Sequence, residues 1–311
     1  MDDPGVESYA GLSMATRRAV LQASAAWAAL AVVGRPALAE GDPHLELRDL
    51  RLGPGEAPFG GRVPVLVPRH LAPGTRVPLV IALHGLGESG DPVLAARAWP
   101  ELYGLCEAYR RLRTPPLAAR TRRGDLPPDR IEVINRELAA RPLDGLIVAC
   151  PFTPNPSRAR DRGAHLDAYT RWLLDVVVAR AREQLPVDPR PATTHLAGCS
   201  MGGGVALDVA IRARGALGAL AVVQSAHGAH RNPALAEALG AAGPAGGPLP
   251  TLVLTSRGDP FRERNEALAR ELAARKLPHE LRVLPGPHDQ PWLREAGTPE
   301  MLLWLDRRPR R

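Results

Sequence analysis

A single lysine, Lys276, stands among 40 basic residues in a chain of 311, so the positive charge is carried almost wholly by arginine. Aromatic residues make up only 4%. There are three cysteines, Cys106, Cys150 and Cys199, too few and too scattered for the disulfide framework of a small secreted domain. They allow one bridge at most. No H-E-x-x-H, paired C-x-x-C or EF-hand spacing occurs, so no metal is expected, and no motif asks for a cofactor. No period of about 20 to 50 residues repeats, which excludes solenoids and propellers.

What is present fits a globular protein. Hydrophobic residues reach 45%, enough for a sizeable core. The 33 prolines and 30 glycines exclude a helical bundle and imply many turns. The net charge of +7 raises the question of nucleic acid. Dense basic clusters are confined to Arg120-Thr121-Arg122-Arg123 and the tail from Arg307 to Arg311, without zinc-finger spacing or an RRM-type aromatic motif. Ala, Arg, Gly and Pro are abundant together, so composition accounts for the charge and no nucleic-acid partner is expected.

The N-terminus carries an address. Arg17-Arg18 precedes an alanine-rich apolar run, Ala25 to Val33, and then Ala37-Leu38-Ala39. A charged start, a short apolar core and an A-x-A site make a secretory signal, and the paired arginines resemble the twin-arginine type. The apolar run is about half of the ~20 residues that span a bilayer, so no stable membrane anchor is expected. Residues 1–39 are set aside as the signal, with Met1 or Met14 as the start, and an exported (periplasmic or secreted) product is expected.

Residues 40–311 read as one α/β domain. Leu47 to Leu52 and Val63 to Val67 are short β-like runs between Gly-Pro turns. Leu79 to Leu83, Leu146 to Ala149, His195 to Ala197, Ala219 to Val223 and Thr251 to Thr255 are continuous apolar runs, as in strands buried on both faces. Leu281 and Val283 alternate as a last strand. Helices fall between them: Tyr169, Trp172, Leu173, Val176 and Val177 share one face, and Ser200 to Gly215 is apolar nearly all round. The alternation predicts a mostly parallel central sheet with helices on both faces. Residues 91–143 interrupt it with helical stretches near Leu94 to Leu112 and Arg130 to Ala140; a lid and an elaborated crossover are both open. Leu239 to Pro250 is expected to be a surface loop.

Gly198-Cys199-Ser200-Met201-Gly202 matches G-x-S-x-G between a predicted strand and a predicted helix, the setting of a nucleophile elbow. A serine turned sharply out of a strand needs tiny neighbours two residues to either side. Its hydroxyl is a poor nucleophile until a base removes the proton, so a histidine and an acid should follow downstream. Asp259 follows the strand Thr251 to Thr255, and His288 follows the strand that ends at Leu284. The order Ser200, Asp259, His288 is that of the α/β-hydrolases. His84-Gly85-Leu86-Gly87 closes the strand Leu79 to Leu83, where the Leu86 amide can join that of Met201 as an oxyanion hole.

Gly85 to Gly90 also fits G-x-G-x-x-G. A dinucleotide fold would then need a second strand and an acid about twenty residues on; Glu107 lies in a helical pattern with no strand before it, so that reading is rejected. Cys199 is expected to be a packed thiol and His195 structural. His227 and His230 should emerge at the edge bearing the site, more as solvated loop residues than as substrate contacts. Asp289 is expected to fix a turn, and Glu263 is the reserve acid.

With these residues in place, the stretch from about Arg62 to Trp304 resembles a bacterial α/β-hydrolase of the esterase D-like group. The likeness is carried by Leu-His-Gly-Leu-Gly-Glu-Ser-Gly90, by Leu196-Ala-Gly-Cys-Ser-Met-Gly-Gly-Gly204 and by His288-Asp-Gln-Pro-Trp-Leu-Arg-Glu295, followed by a final helix near Met301 to Asp306. It implies an α/β-hydrolase fold with 91–143 inserted after the oxyanion strand. It further implies a serine esterase that needs no cofactor and acts on a small-molecule or polymer ester. Residues 91–143 depart from the group's common forms. An acyltransferase or serine peptidase of the same fold, and an exported binding protein with a dead site, are the competing expectations.

Overall fold

The computed structural model describes residues 42–309; the expected signal at 1–39 and the last two arginines lie outside them. Eight strands form one sheet in the order β1-β2-β4-β3-β5-β6-β7-β8. They are β1 (Leu45–Asp49), β2 (Pro64–Pro68), β3 (Leu79–Leu83), β4 (Ile147–Ala149), β5 (Thr194–Cys199), β6 (Ala219–Val223), β7 (Thr251–Gly258) and β8 (His279–Pro287). From β4 to β8 all neighbours are parallel; β2 is antiparallel to β4, and β1 to β2. The longer helices are α1 (Pro92–Arg97), α2 (Leu105–Arg113), α3 (Pro128–Ala140), α4 (Arg162–Trp172), α5 (Ala179–Gln184), α6 (Met201–Arg212), α7 (Asn232–Leu239), α8 (Arg262–Ala274) and α9 (Thr298–Asp306).

Every residue of β3, β5 and β6 is buried. Successive side chains point to opposite faces, so each strand feeds two cores. Leu79, Ile81, Leu83 and Leu196 enter the first, with Tyr169 and Trp172 of α4, Val205 and Val209 of α6 and Leu268 of α8. Val80, Ala82, Ala197 and Cys199 enter the second. Residues 91–143 cover that second face: Trp99, Tyr103, Tyr109, Leu112, Ile134 and Leu138 pack there beside Leu302, Leu303 and Leu305 of α9. A sheet buried on both faces explains why its strands are apolar runs without alternation.

Two expectations shift. The first strand starts at Leu45, earlier than Leu47, because Asp42 accepts the His44 and Leu45 amides (2.9 and 3.0 Å) and sets the chain for pairing with β2. It ends at Asp49, with one further bond from Leu50 N–H to the Val63 carbonyl (2.9 Å). The stretch 239–250 is not simply a surface loop. Leu239, Ala242 and Leu249 are buried in the first core, and the Gly243 and Leu249 amides bond Gly247 and Leu239 (2.8 and 2.9 Å), folding it back on α7.

Candidate active site

β5 ends at Cys199 and α6 begins at Met201, so Ser200 makes the turn alone, at φ +53° and ψ −120°. Such a conformation costs a non-glycine residue about 1–3 kcal/mol and persists only where its surroundings enforce it. Here the Ser200 N–H donates to Val223 (2.9 Å), while its carbonyl accepts from Gly203, Gly204 and Ala226 (3.0, 3.2 and 2.9 Å). A Cβ on Gly198 would lie 2.2 Å from the Gly202 oxygen, and one on Gly202 would lie 2.4 Å from the Leu83 oxygen. The sequence pattern is thus a packing requirement.

The parallel order carries three distant residues to one edge of the sheet. His288 Nε2 lies 3.0 Å from Ser200 Oγ, and His288 Nδ1 lies 2.9 Å from Asp259 Oδ1. The Asp259 side chain has no exposed surface and that of His288 only 8%. Both Asp259 oxygens are occupied: Oδ1 also accepts the Phe261 N–H (2.9 Å), and Oδ2 accepts the Thr255 hydroxyl (2.6 Å). A carboxylate accepting at both oxygens places the imidazole proton on Nδ1 and leaves the Nε2 lone pair facing the serine hydroxyl. The Phe261 ring packs edge-on against the imidazole, centroids 5.4 Å apart at 78°. Behind it, the Pro287 carbonyl accepts from Gln224 Nε2 (3.0 Å) and from Ser256 Oγ (3.3 Å), fixing the residue that precedes His288.

Leu86 lies in the turn after β3 and Met201, next to Ser200 in the chain, starts α6; the N–H groups of both donate to no acceptor among the described residues. The Leu86 amide is aimed by its neighbour. His84 Nδ1–H donates to the Gly85 carbonyl (2.9 Å), and Nε2 accepts the Thr153 N–H (2.8 Å). Burial holds His84 down at about 4, so the ring is neutral and has one proton to donate. The Gly85 carbonyl and the Leu86 N–H belong to one planar peptide and point opposite ways; fixing the first directs the second.

The other candidates separate. Cys199 is buried in the second core, and burial pushes its thiol well above the usual range. Cys106 is raised to about 12 for the same reason, and all three cysteines are free and buried. His195 is buried in β5. His227 overturns the expectation of a solvated loop residue: it is buried, its Nδ1 3.0 Å from Ser225 Oγ and its Nε2 2.9 Å from Asn232 Oδ1. The loop after β6 folds inward beneath the elbow, where Ser225 would meet any Cβ on Gly203 at 2.9 Å. His230 is exposed. Asp289 caps a helical turn by accepting the Trp292 N–H (2.8 Å) and pairs with Arg123 (3.0 Å). Glu263 is exposed on α8 and Glu107 pairs with Arg110 (2.8 Å). After Gly90 the next strand is β4, beyond three helices, an order unlike a dinucleotide fold. Sequence reasoning missed Thr255, Gln224, Ser256 and Thr153, which hold the site through bonds that no motif announces.

No family model matches the chain, and no curated protein matches it. Solved structures do. An S-formylglutathione hydrolase from Staphylococcus aureus aligns over 86% of this chain and 99% of its own, with TM-score 0.58 and 16% identity. A ferulic acid esterase from the anaerobic fungus Anaeromyces mucronatus aligns over 87% and 93%, with TM-score 0.55 and 14% identity. Esterase B from Lactobacillus rhamnosis aligns over 94% and 92%, with TM-score 0.52 and 16% identity. The chain has the α/β-hydrolase fold. As in α/β-hydrolases generally, the serine turn sits at the C-terminal edge of the parallel strands. Among the described residues, no group of three or more His, Cys, Asp or Glu could hold a metal, and no helix is long and apolar enough to cross a membrane.

Proposed function

We propose that the protein is a serine hydrolase that cleaves carboxylic esters through an acyl-enzyme. One observation carries the reading: the hydroxyl of a strained elbow serine, an imidazole and a buried carboxylate stand in a single hydrogen-bonded row. Ser200 attacks the ester carbonyl as His288 takes its proton. His288 then delivers that proton to the departing alcohol, and Asp259 orients the ring and stabilises the imidazolium. The Leu86 and Met201 amides, with the positive end of α6, stabilise the tetrahedral oxyanion. Water activated by the same imidazole releases the acid. The named esterases and hydrolase that share the fold support ester chemistry. We read residues 91–143 as an elaborated β3–β4 crossover, since their large side chains are buried against the sheet.

The test is fluorophosphonate labelling with site mapping, followed by nitrophenyl esters of increasing chain length and a feruloyl ester. Label is expected on Ser200, and Ser200→Ala should lower kcat by a factor on the order of 10⁴ or more. Label elsewhere, or unchanged turnover in Ser200→Ala, overturns the mechanism. Acyl transfer to an added alcohol outrunning hydrolysis would make it an acyltransferase, and preferred cleavage of peptide amides a peptidase. Absence of label and turnover alike would leave a binding protein.

The paired arginines and A-x-A site support export of this enzyme by a twin-arginine route. Replacing Arg17 and Arg18 by lysine should hold it in the cytoplasm in a fractionation assay; unchanged export would sink that assignment.

A further inference from the structure

Glu88 lies in the turn after β3, yet it is only 2% exposed. A buried carboxyl group persists where donors replace the water it has lost. Its two oxygens are engaged from distant parts of the chain. The Tyr103 hydroxyl donates to Oε2, and Gln290 Nε2 donates to Oε1 (3.2 Å). Tyr103 in turn accepts the Gly85 N–H (3.0 Å) and packs edge-on against Trp99, centroids 5.1 Å apart at 81°. Gln290 stands two residues beyond His288 and is itself buried.

Both peptide units around Gly85 are therefore pinned: the preceding one through its N–H by Tyr103, the following one through its carbonyl by His84. Glycine has no side-chain restraint of its own, so these bonds decide where the Leu86 amide points. The Tyr103 hydroxyl gives its own proton to Glu88 while it accepts from Gly85, so Glu88 sets the direction in which that hydroxyl faces the turn. The same carboxyl group reaches through Gln290 to the loop that carries His288. We propose that Glu88, acting through Tyr103 and Gln290, is a positioning residue that keeps the oxyanion turn in register with the histidine loop. This rests on the serine-hydrolase reading above. Burial also pushes the Glu88 carboxyl above its ordinary pKa, so the cluster holds the group against its own desolvation.

Glu88→Ala and Tyr103→Phe test it, with kcat expressed per fluorophosphonate-titrated site so that unfolded protein does not count. Misaligned oxyanion donors act on the transition state, so kcat should fall roughly ten- to a hundredfold with KM changed less than about threefold. Affinity for an alkylboronic acid, which becomes a tetrahedral anion on the serine, should fall in proportion. Glu88→Gln should recover most of the rate, because its amide oxygen still accepts from Tyr103 and the Gln290 amide can turn over. Tyr103→Phe removes one hydroxyl and keeps the ring, so it decides the matter where Glu88→Ala fails to fold. A kcat per titrated site within about twofold of wild type in the folded variants, with only thermal stability lowered, overturns the proposal. Wild-type enzyme that is not labelled at Ser200 overturns the serine-hydrolase reading instead.

Discussion

The backbone of Ser200 occupies a region of φ/ψ that few L-residues visit, and the missing Cβ atoms of Gly198 and Gly202, two residues to either side, permit this. A methyl group on Gly202 would lie 2.4 Å from the Leu83 oxygen and 2.5 Å from that of His84, so α6 would have to lift off the end of β3. Gly61 provides the contrast: a Cβ there meets nothing within 4 Å, and the residue is exposed. Gly202→Ala should cost about 1–3 kcal/mol in urea unfolding and most of the ester turnover, whereas Gly61→Ala should stay within about 0.5 kcal/mol and keep full activity. Equal midpoints and rates for the two variants would contradict the packing account of the G-x-S-x-G pattern.

At the scale of elements, legibility follows burial and separation. β3 and β6 lie where the apolar runs place them, because a parallel strand buried on both faces has no polar alternation to blur its ends. Ser200, Asp259 and His288 were legible for a related reason. Each follows a strand directly, and parallel strands deliver their C-terminal ends to one edge. The edge strand β1 was misplaced because its start is set by the Asp42 cap, a bond made outside the apolar pattern. The loop after β6 was misjudged because a histidine between small residues, Ala226 and Gly228, looks solvent-facing. Only its partners Ser225 and Asn232 show that the loop turns inward. The supports of the site were illegible altogether: Glu88 meets Gln290 across 202 positions, and Gln224 meets Pro287 across 63. No periodicity or motif encodes a contact of that range. The role of 91–143 stayed open for the same reason, since amphipathic helices alone do not say which sheet face they cover.

For the molecule as a whole, two neutral buried histidines link folding to pH. Burial holds both His84 and His227 at about 4, against an ordinary value of 6.5. Between those values the unfolded chain binds protons that the folded chain refuses. Stability from this source is therefore complete above about pH 6.5 and is lost as the pH falls towards 4, with a ceiling of about 3 kcal/mol per ring. Glu88 works with the opposite sign. Its carboxyl is raised by burial, so its contribution is complete below the ordinary glutamate range and is lost as the pH rises through the folded value. Wild-type curves mix these terms, and a difference between variants isolates one. His227→Gln keeps a side chain that can bond Asn232 but cannot protonate. Its unfolding free energy relative to wild type should be lowest at pH 7.5 and should rise by about 1–3 kcal/mol on acidification to pH 4.5, as wild type alone pays the proton penalty. Urea titrations of both proteins at several pH values measure that difference. A gap that stays constant with pH would mean that His227 accepts its proton in the folded state as readily as in the unfolded one, and the neutral buried ring beneath the elbow would have to be abandoned.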